Sequence, residues 1–451
     1  MKRVKIVATL GPACESAKMI RQLAKAGTDC FRINTAFGDL EYYEQLLKRV
    51  RRHSQAPVML DIKGTDIRLV PSSSVEIKKG EKVRVDFLHG PLSFNKQFID
   101  SVTVGDKIFL QDGTITTKVV KKHHNAVTLR FLDAITIDKP TGVNVPKPLD
   151  LHPLLSKKDR QVLSFAKEHD VAFVALSFTK SKDDVLAVRR ALKDDSIAII
   201  AKIESAQGVA NVDEILKVAD GIMVARGDLG IEMDKEKVPI LQKSLIVRAN
   251  QAGKIVITAT EMLQSMVEDK RPTRAETSDV ANAILDGTDA VMLSAETAVG
   301  RYPVLAVKEM VAIAKETEPF VQGKVRRSSE AISEVITDAL NHFCSVMDLD
   351  HIVTITRSGF TARMIARFRN NEPIVAVTRE EKVRRQLELV YGVTPLHFPK
   401  LPQHGQIVAC ARFCVKKNVL QKDETVVFSA GTVTKKRGTN TITVVRLVDL
   451  L

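Results

Sequence analysis

The chain contains no tryptophan, and aromatic residues make up only 5% of its 451 positions. A surface so poor in aromatics has little on which bases could stack, so nucleic acid is not an expected partner. The net charge of +14, from 68 basic and 54 acidic residues, is spread along the chain, and phosphorylated small molecules suit it better. Cysteine is scarce and odd in number: Cys14, Cys30, Cys344, Cys410 and Cys414. No second pair completes a zinc pattern around Cys410 and Cys414, which argues for free, largely buried thiols in a reducing compartment. No apolar run approaches the roughly 18 residues of a membrane span. The apolar part of "MKRVKIVATLGP" is too short for a signal peptide. A cytoplasmic protein without a membrane partner is expected, and no low-complexity segment interrupts it.

What is present is an ordinary globular balance, 44% hydrophobic and 27% charged, in a chain long enough for two or three domains. Eight short β-type runs recur at 4–10, 29–34, 57–62, 171–177, 197–203, 221–226, 254–260 and 289–294, with amphipathic helical stretches between them. Four of them follow an aspartate, in "TDCFRI", "HDVAFVA", "ADGIMV" and "TDAVML". Near-continuous apolar strands alternating with helices predict a parallel sheet buried on both faces, and eight units predict a (β/α)₈ barrel. More than a hundred residues separate Asp61 from Val171, far beyond a βα loop. Alternating stretches around "KKGEK", "QDG" and "HHN" turns predict a small antiparallel β-barrel there, residues 69–147, set as a lid over the loop face. The barrel then comprises 1–68 and 148–325. A fresh α/β pattern predicts an open C-terminal domain at 326–451, joined through "GKVRRSS" (323–329).

Functional groups of such a barrel gather at the C-terminal ends of its strands. Those ends supply Arg32, Asn34, Asp61, Lys63, Ser177, Lys202, Glu204, Arg226, Asp228 and Thr260. Two carboxylates, Glu204 and Asp228, with little else acidic beside them, suit a hard cation such as Mg²⁺, since no His or Cys joins them. Lys202, Arg32 and Arg68 would neutralise phosphoryl oxygens, and Gly227 would let backbone N–H groups approach a ligand.

These residues lie in motifs that resemble the pyruvate kinase family along essentially the whole chain: "KIVATLGPACES", "LDIKGTDIR" (60–68), "GVNVP" (142–146), "IIAKIESAQGVANVDEIL" (199–216), "ADGIMVARGDLGIE" (219–232), "ITATEMLQSM" (257–266) and the long "RPTRAETSDVANAILDGTDAVMLSAETAVGRYPVLAV" (271–307). "TRSGFTAR" (356–363) and "EEKVRRQLELVYGVTP" (380–395) are similar to its C-terminal domain. The resemblance implies phosphoryl transfer from phosphoenolpyruvate to ADP, giving pyruvate and ATP. By the same likeness, Lys202 would stabilise the phosphoryl group in flight. Glu204 and Asp228 would hold Mg²⁺, with Mn²⁺ as a substitute. Arg32 would bind phosphate, Gly227 and Asp228 would seat the substrate carboxylate, and Thr260 would stand near the enolate carbon. Asn34 and Arg68 would contact the nucleotide, and Asp112 would close with the lid. A homotetramer, and an effector pocket of Thr356, Arg357, Ser358, Gly359 and Thr361 for a phosphorylated ligand, are further implications. "SAGTVTKKRGTN" would add Lys435, Lys436 and Arg437 to that pocket.

The chain departs from the family pattern at "RINTAFG" (32–38). Ala36 replaces a serine that helps bind K⁺, and Phe37 replaces a histidine near the nucleotide. Asn34, Asp61 and the Ile62 carbonyl remain as K⁺ ligands, so weak or absent K⁺ activation is expected. Asp66 stands where glutamate is common, and Thr141 where a lysine often contacts nucleotide. These changes are the support for an alternative, a homologue serving as a phospho-metabolite sensor or interaction protein. The retained Lys202, Glu204, Asp228 and Thr260 oppose it. The chain stops at "TITVVRL", so no appended phosphotransfer domain is expected.

Overall fold

Eight strands whose residues are nearly all buried close into a parallel barrel in the computed structural model, which describes residues 2–451 except 112, 148, 150–152, 326–330 and 432–438. Its strands are β1 (Lys5–Leu10), β2 (Cys30–Asn34) and β3 (Val58–Ile62), followed, after an insertion numbered β4 to β12, by β13 (Phe173–Leu176), β14 (Ala198–Ile203), β15 (Gly221–Ala225), β16 (Ile255–Ala259) and β17 (Ala290–Leu293). Each coincides with one of the eight apolar runs. The barrel interior is filled by Val7, Met59, Ala175, Ile200, Met223, Ile257 and their neighbours, while the outward-facing set packs beneath the helices.

The recurrent aspartate now has a physical reason. Asp29, Asp220 and Asp289 stand just before a strand and accept the backbone N–H of Ile6, Ile199 and Val256 on the adjacent strand, at 2.7, 2.9 and 2.9 Å. Each carboxylate therefore pairs a donor at the barrel floor that the ladder leaves open. Asp170 departs from the pattern: its carboxylate pairs with Lys382 and Arg385 of the C-terminal domain.

The insertion holds β4 (Ile67–Pro71), β5 (Val75–Ile77), β6 (Lys82–Phe87), β7 (Leu92–Phe94), β8 (Lys107–Leu110), β9 (Ile115–Lys122), β10 (Ala126–Phe131), β11 (Ile135–Ile137) and β12 (Thr141–Asn144). Seven of these form a second closed barrel in the order β10-β6-β7-β4-β12-β8-β9 around a core that includes Phe87, Phe94, Phe98 and Phe131. Two details differ from the sequence expectation. β6 and β7 run parallel, with Asp86 opposite Ser93 and Phe87 opposite Phe94, instead of forming an antiparallel hairpin. The first strand begins at Ile67, so Arg68 belongs to the inserted barrel, where it pairs with Gly142.

The C-terminal sheet is ordered β20-β19-β18-β21-β22, from β18 (His351–Ile355), β19 (Ile374–Thr378), β20 (Val393–His397), β21 (Thr425–Ala430) and β22 (Thr441–Arg446). It is parallel except for β22, whose short return from β21 makes that pair antiparallel. All five cysteines are free, and all but Cys344 are buried. Among the described residues no helix is long and apolar enough to cross a membrane.

Candidate active site

The C-terminal ends of the (β/α)₈ strands and the β4–β12 face of the inserted barrel enclose a cavity of about 200 Å³. Arg32, Asn34, Asp61, Lys63, Arg68, Ser177, Lys202, Glu204, Asp228 and Thr260 all line it. Residues separated by more than two hundred positions thus meet because successive strands of the barrel end at one rim.

Lys202, the fifth residue of β14, is its centre. Its Nζ lies 2.9 Å from Ser177 Oγ, 3.0 Å from Glu204 Oε1 and 3.3 Å from Asp61 Oδ2, and the side chain is only 10% exposed. Burial alone would pull the ammonium pKa down, but Asp61 and Glu204 outweigh it and hold the group above its usual range. Asp61 is likewise buried; Lys202 and Arg32 overcome the cost of burial and keep its carboxyl below the usual range. Arg32 grips Asp61 through Nε at 2.7 Å and Nη2 at 2.6 Å, and donates from Nη1 to Thr9 Oγ1 at 3.0 Å.

Glu204 is buried and lines the cavity; its Oε2 accepts the Phe178 N–H at 2.6 Å and its Oε1 pairs with Lys202. Asp228, in the first turn of the helix Arg226–Glu232, lines the same cavity. This donor set is oxygen only and acidic, so it fits a hard divalent cation of the Mg²⁺ kind. The expectation of little other acid nearby fails: Asp61 and Asp66 line the cavity too, their negative charge taken up by Arg32 and Lys202 and by Lys63 and Arg68. Asp66 Oδ2 holds Arg68 Nε at 2.8 Å.

The K⁺ candidates all have protein partners. Asn34 Oδ1 accepts Ala36 N–H at 3.1 Å, the Ile62 carbonyl accepts Ser177 N–H at 3.0 Å, and Asp61 is engaged as above. The 35–38 loop is pinned by the Tyr43 hydroxyl, 2.9, 2.8 and 3.0 Å from the carbonyls of Thr35, Phe37 and Gly38. Phe37 points out, 72% exposed. Thr141 is buried and its hydroxyl donates to the Lys139 carbonyl.

Gly227 lines a neighbouring groove, and its N–H donates to Thr260 Oγ1 at 2.9 Å. Arg226, on the same strand end, also turns away from the cavity into that groove. The inserted barrel reaches down to the helix Arg226–Glu232 at two points. At Gly113 (φ 83°) a β-carbon would lie 3.1 Å from Ile231 Cγ2, and Asn144 Nδ2 donates to Glu232 Oε1 at 3.4 Å. Asp112 lies outside the described residues. Asn144 and Ser294 line the cavity but were missed in the sequence. The strand-end rule applied to the eighth strand would have found Ser294. At the effector candidates, Thr356 Oγ1 accepts Gly359 N–H at 3.0 Å, Thr361 bonds Thr439, and Arg357 and Ser358 are exposed; Lys435, Lys436 and Arg437 lie outside the described residues.

Residues 1–307 match the family model described as pyruvate kinase, barrel domain, and residues 331–445 that of the pyruvate kinase alpha/beta domain. The chain belongs to the pyruvate kinase family. The pyruvate kinase of Geobacillus stearothermophilus is 40% identical over all of this chain and 81% of its own length. That of Thermococcus litoralis is 38% identical over 99% of this chain and 98% of its own, and that of Clostridium acetobutylicum 35% identical over the full length of both. Pyruvate kinases move a phosphoryl group between phosphoenolpyruvate and ADP, and the chain is an enzyme of this class, with a (β/α)₈ barrel, an inserted barrel and a C-terminal α/β domain.

Proposed function

We propose that the cavity at the barrel mouth is where phosphoenolpyruvate passes its phosphoryl group to ADP, and that the residues named above divide the task. The observation that carries this reading is the meeting of Lys202, Glu204, Asp228, Arg32 and Thr260 around one enclosed space. The bond from phosphorus to the enol oxygen breaks, a bond to a terminal ADP oxygen forms, and the enolate left behind takes a proton at carbon. Lys202, already charged and aimed at two carboxylates, stabilises the negative charge on the phosphoryl oxygens in flight. Arg32 holds phosphate, and Arg68, steadied by Asp66, meets the nucleotide phosphates with Asn34 beside it. Asp228 seats the carboxylate end of the substrate; Gly227, expected to share that role, instead donates its N–H to Thr260 Oγ1 and lines the neighbouring groove. Thr260 orients its hydroxyl at the carbon that is protonated. Glu204 and Asp228 would hold Mg²⁺ or Mn²⁺, whose charge offsets that of the transferring group.

The inserted barrel, whose Gly113 approaches Ile231 on the helix that carries Asp228, acts as a lid; excluding water favours ADP over hydrolysis as acceptor. We further infer weak or absent K⁺ activation, since Ala36 supplies no hydroxyl and Asn34, Asp61 and Ile62 each have a protein partner. A phosphorylated effector at Thr356–Thr361, a cytoplasmic location and a homotetramer complete the reading; Ile240, 67% exposed beside the groove that Pro239 lines, supports self-association. The test is an assay coupling pyruvate formation to its reduction, with phosphoenolpyruvate, ADP and Mg²⁺. Substrate- and metal-dependent turnover is expected, and none from the well-folded protein would overturn the reading.

A further inference from the structure

Thr260 adopts φ 65° and Glu261 φ 52°, two consecutive left-handed residues without a glycine. For a β-branched residue this conformation is costly and persists only where its surroundings enforce it. The enforcing group is Arg226. Its Nη2 donates to the Thr260 carbonyl at 2.7 Å and to the Glu261 carbonyl at 2.9 Å, and touches Met262 Sδ at 2.9 Å. Its Nε adds a longer bond to the Thr260 carbonyl, 3.3 Å. The far edge of the guanidinium is fixed by Asp279, 2.6 Å from Nη1, and by Gln242 Oε1 at 3.3 Å. Five protein acceptors around a side chain 8% exposed are far more than a surface ion pair at a strand end needs.

Arg226 does not line the cavity that holds Lys202 and Glu204, and its guanidinium is taken up by protein acceptors. It touches Thr260 from behind, through the backbone, while the next residue, Gly227, donates its N–H to Thr260 Oγ1. The hydroxyl in turn donates to the Ala259 carbonyl at 2.6 Å. Clamped carbonyl, bonded Oγ1 and left-handed φ together leave that hydroxyl one place to stand.

We propose that Arg226 is a positioning residue, which holds the Thr260–Glu261 turn in its left-handed form and thereby fixes the Thr260 hydroxyl at the reacting carbon. The assignment rests on the reading of Thr260 given above. It also explains why an apolar strand ends in two opposite charges around a glycine. Asp228 lines the cavity, while Arg226 braces the Thr260–Glu261 turn from the groove.

The planar fork matters more than the charge, because lysine cannot bridge two carbonyls and Asp279 at once. Arg226→Lys is therefore expected to lower kcat about tenfold to a hundredfold while leaving KM for phosphoenolpyruvate nearly unchanged. It should lower by a similar factor the exchange of pyruvate methyl protons for deuterium in D₂O, read by NMR. In a Thr260→Ala background the same substitution should cost little more, since the group it positions is gone. Arg226→Lys with full kcat and exchange, or with an equal loss in both backgrounds, overturns the proposal. If Thr260→Ala itself leaves kcat and exchange intact, the reading of Thr260 fails first, and the two failures are distinguishable. Should Arg226→Lys not fold, Asp279→Asn, at a side chain 39% exposed, takes its place. A smaller loss of kcat and exchange at unchanged KM supports the proposal, and wild-type values for both overturn it.

Discussion

Glu204 Oε1 sits 3.0 Å from Lys202 Nζ, with both side chains almost wholly buried. In the proposed function a divalent cation would draw on the same carboxylate as the lysine. Replacing Lys202 by Met removes the cation proposed to meet the transferring oxygens and leaves Asp61 and Glu204 short of a buried partner. Turnover should fall by about 10²–10³ or more, and stability by about 3 kcal/mol. Added Mg²⁺ should raise the melting temperature of this variant more than that of the wild type, because the ion then supplies the missing positive charge. Equal Mg²⁺ shifts in both proteins would argue against Glu204 as a ligand.

Glu232 gives the fold's stability a pH dependence. Burial pushes its carboxyl up from the usual 4.5 to about 7, against the opposing pull of Lys180 and the hydrogen bond from Asn144. A carboxyl that ionises later in the fold than in the unfolded chain makes folding less favourable as pH rises between those two values. The melting temperature of Glu232→Gln, which keeps an acceptor for Asn144, should therefore gain on that of the wild type as pH climbs from about 4.5 to 7, and the gap should then level. A gap that does not change with pH would show that Glu232 titrates normally.

How much of this was legible depends on what each residue faces. The eight strands could be read because strands covered on both sides must be apolar throughout, and the cavity could be read because their ends share a rim. The direction of a side chain at that rim could not. Arg226 and Asp228 flank one glycine, yet Asp228 reaches the cavity and Arg226 does not, and nothing local in "ARGDLG" distinguishes them. Asp61 was legible as a strand-end acid, but its pairing with Lys202 spans 141 positions and depends on β3 and β14 both neighbouring β13. Asn144 was hidden for a different reason: it lies on the return strand of the inserted barrel, whose register no short-range pattern fixes.

Potassium offers a direct check on the 34–38 loop. Turnover at saturating phosphoenolpyruvate, ADP and Mg²⁺ should be nearly the same with K⁺ as with an equal concentration of tetramethylammonium. Strong activation by K⁺ would mean that Asn34, Asp61 and Ile62 release their present partners to bind it, and that the missing hydroxyl at Ala36 is replaced by another oxygen.

The aspartates before the strands can be ranked by what each one holds. Asp289 accepts Val256 N–H at 2.9 Å on one oxygen, and on the other takes Tyr391 N–H and the Arg369 guanidinium, both at 3.1 Å. Arg369 is 2% exposed and keeps its bonds to Gly287, Ala366 and Asn250, but Asp289→Ala removes the carboxylate opposite its buried charge and leaves two backbone amides short of an acceptor at the joint between barrel and C-terminal domain. A loss of about 3 kcal/mol or more is expected. Asp170, 57% exposed, pairs only at the surface, and Asp170→Ala should change stability by less than about 1 kcal/mol. Chemical denaturation of the two variants side by side decides the point. If they lose the same amount, the repeated aspartate is no more than a strand-start preference, and its bonds across the barrel floor carry no special weight.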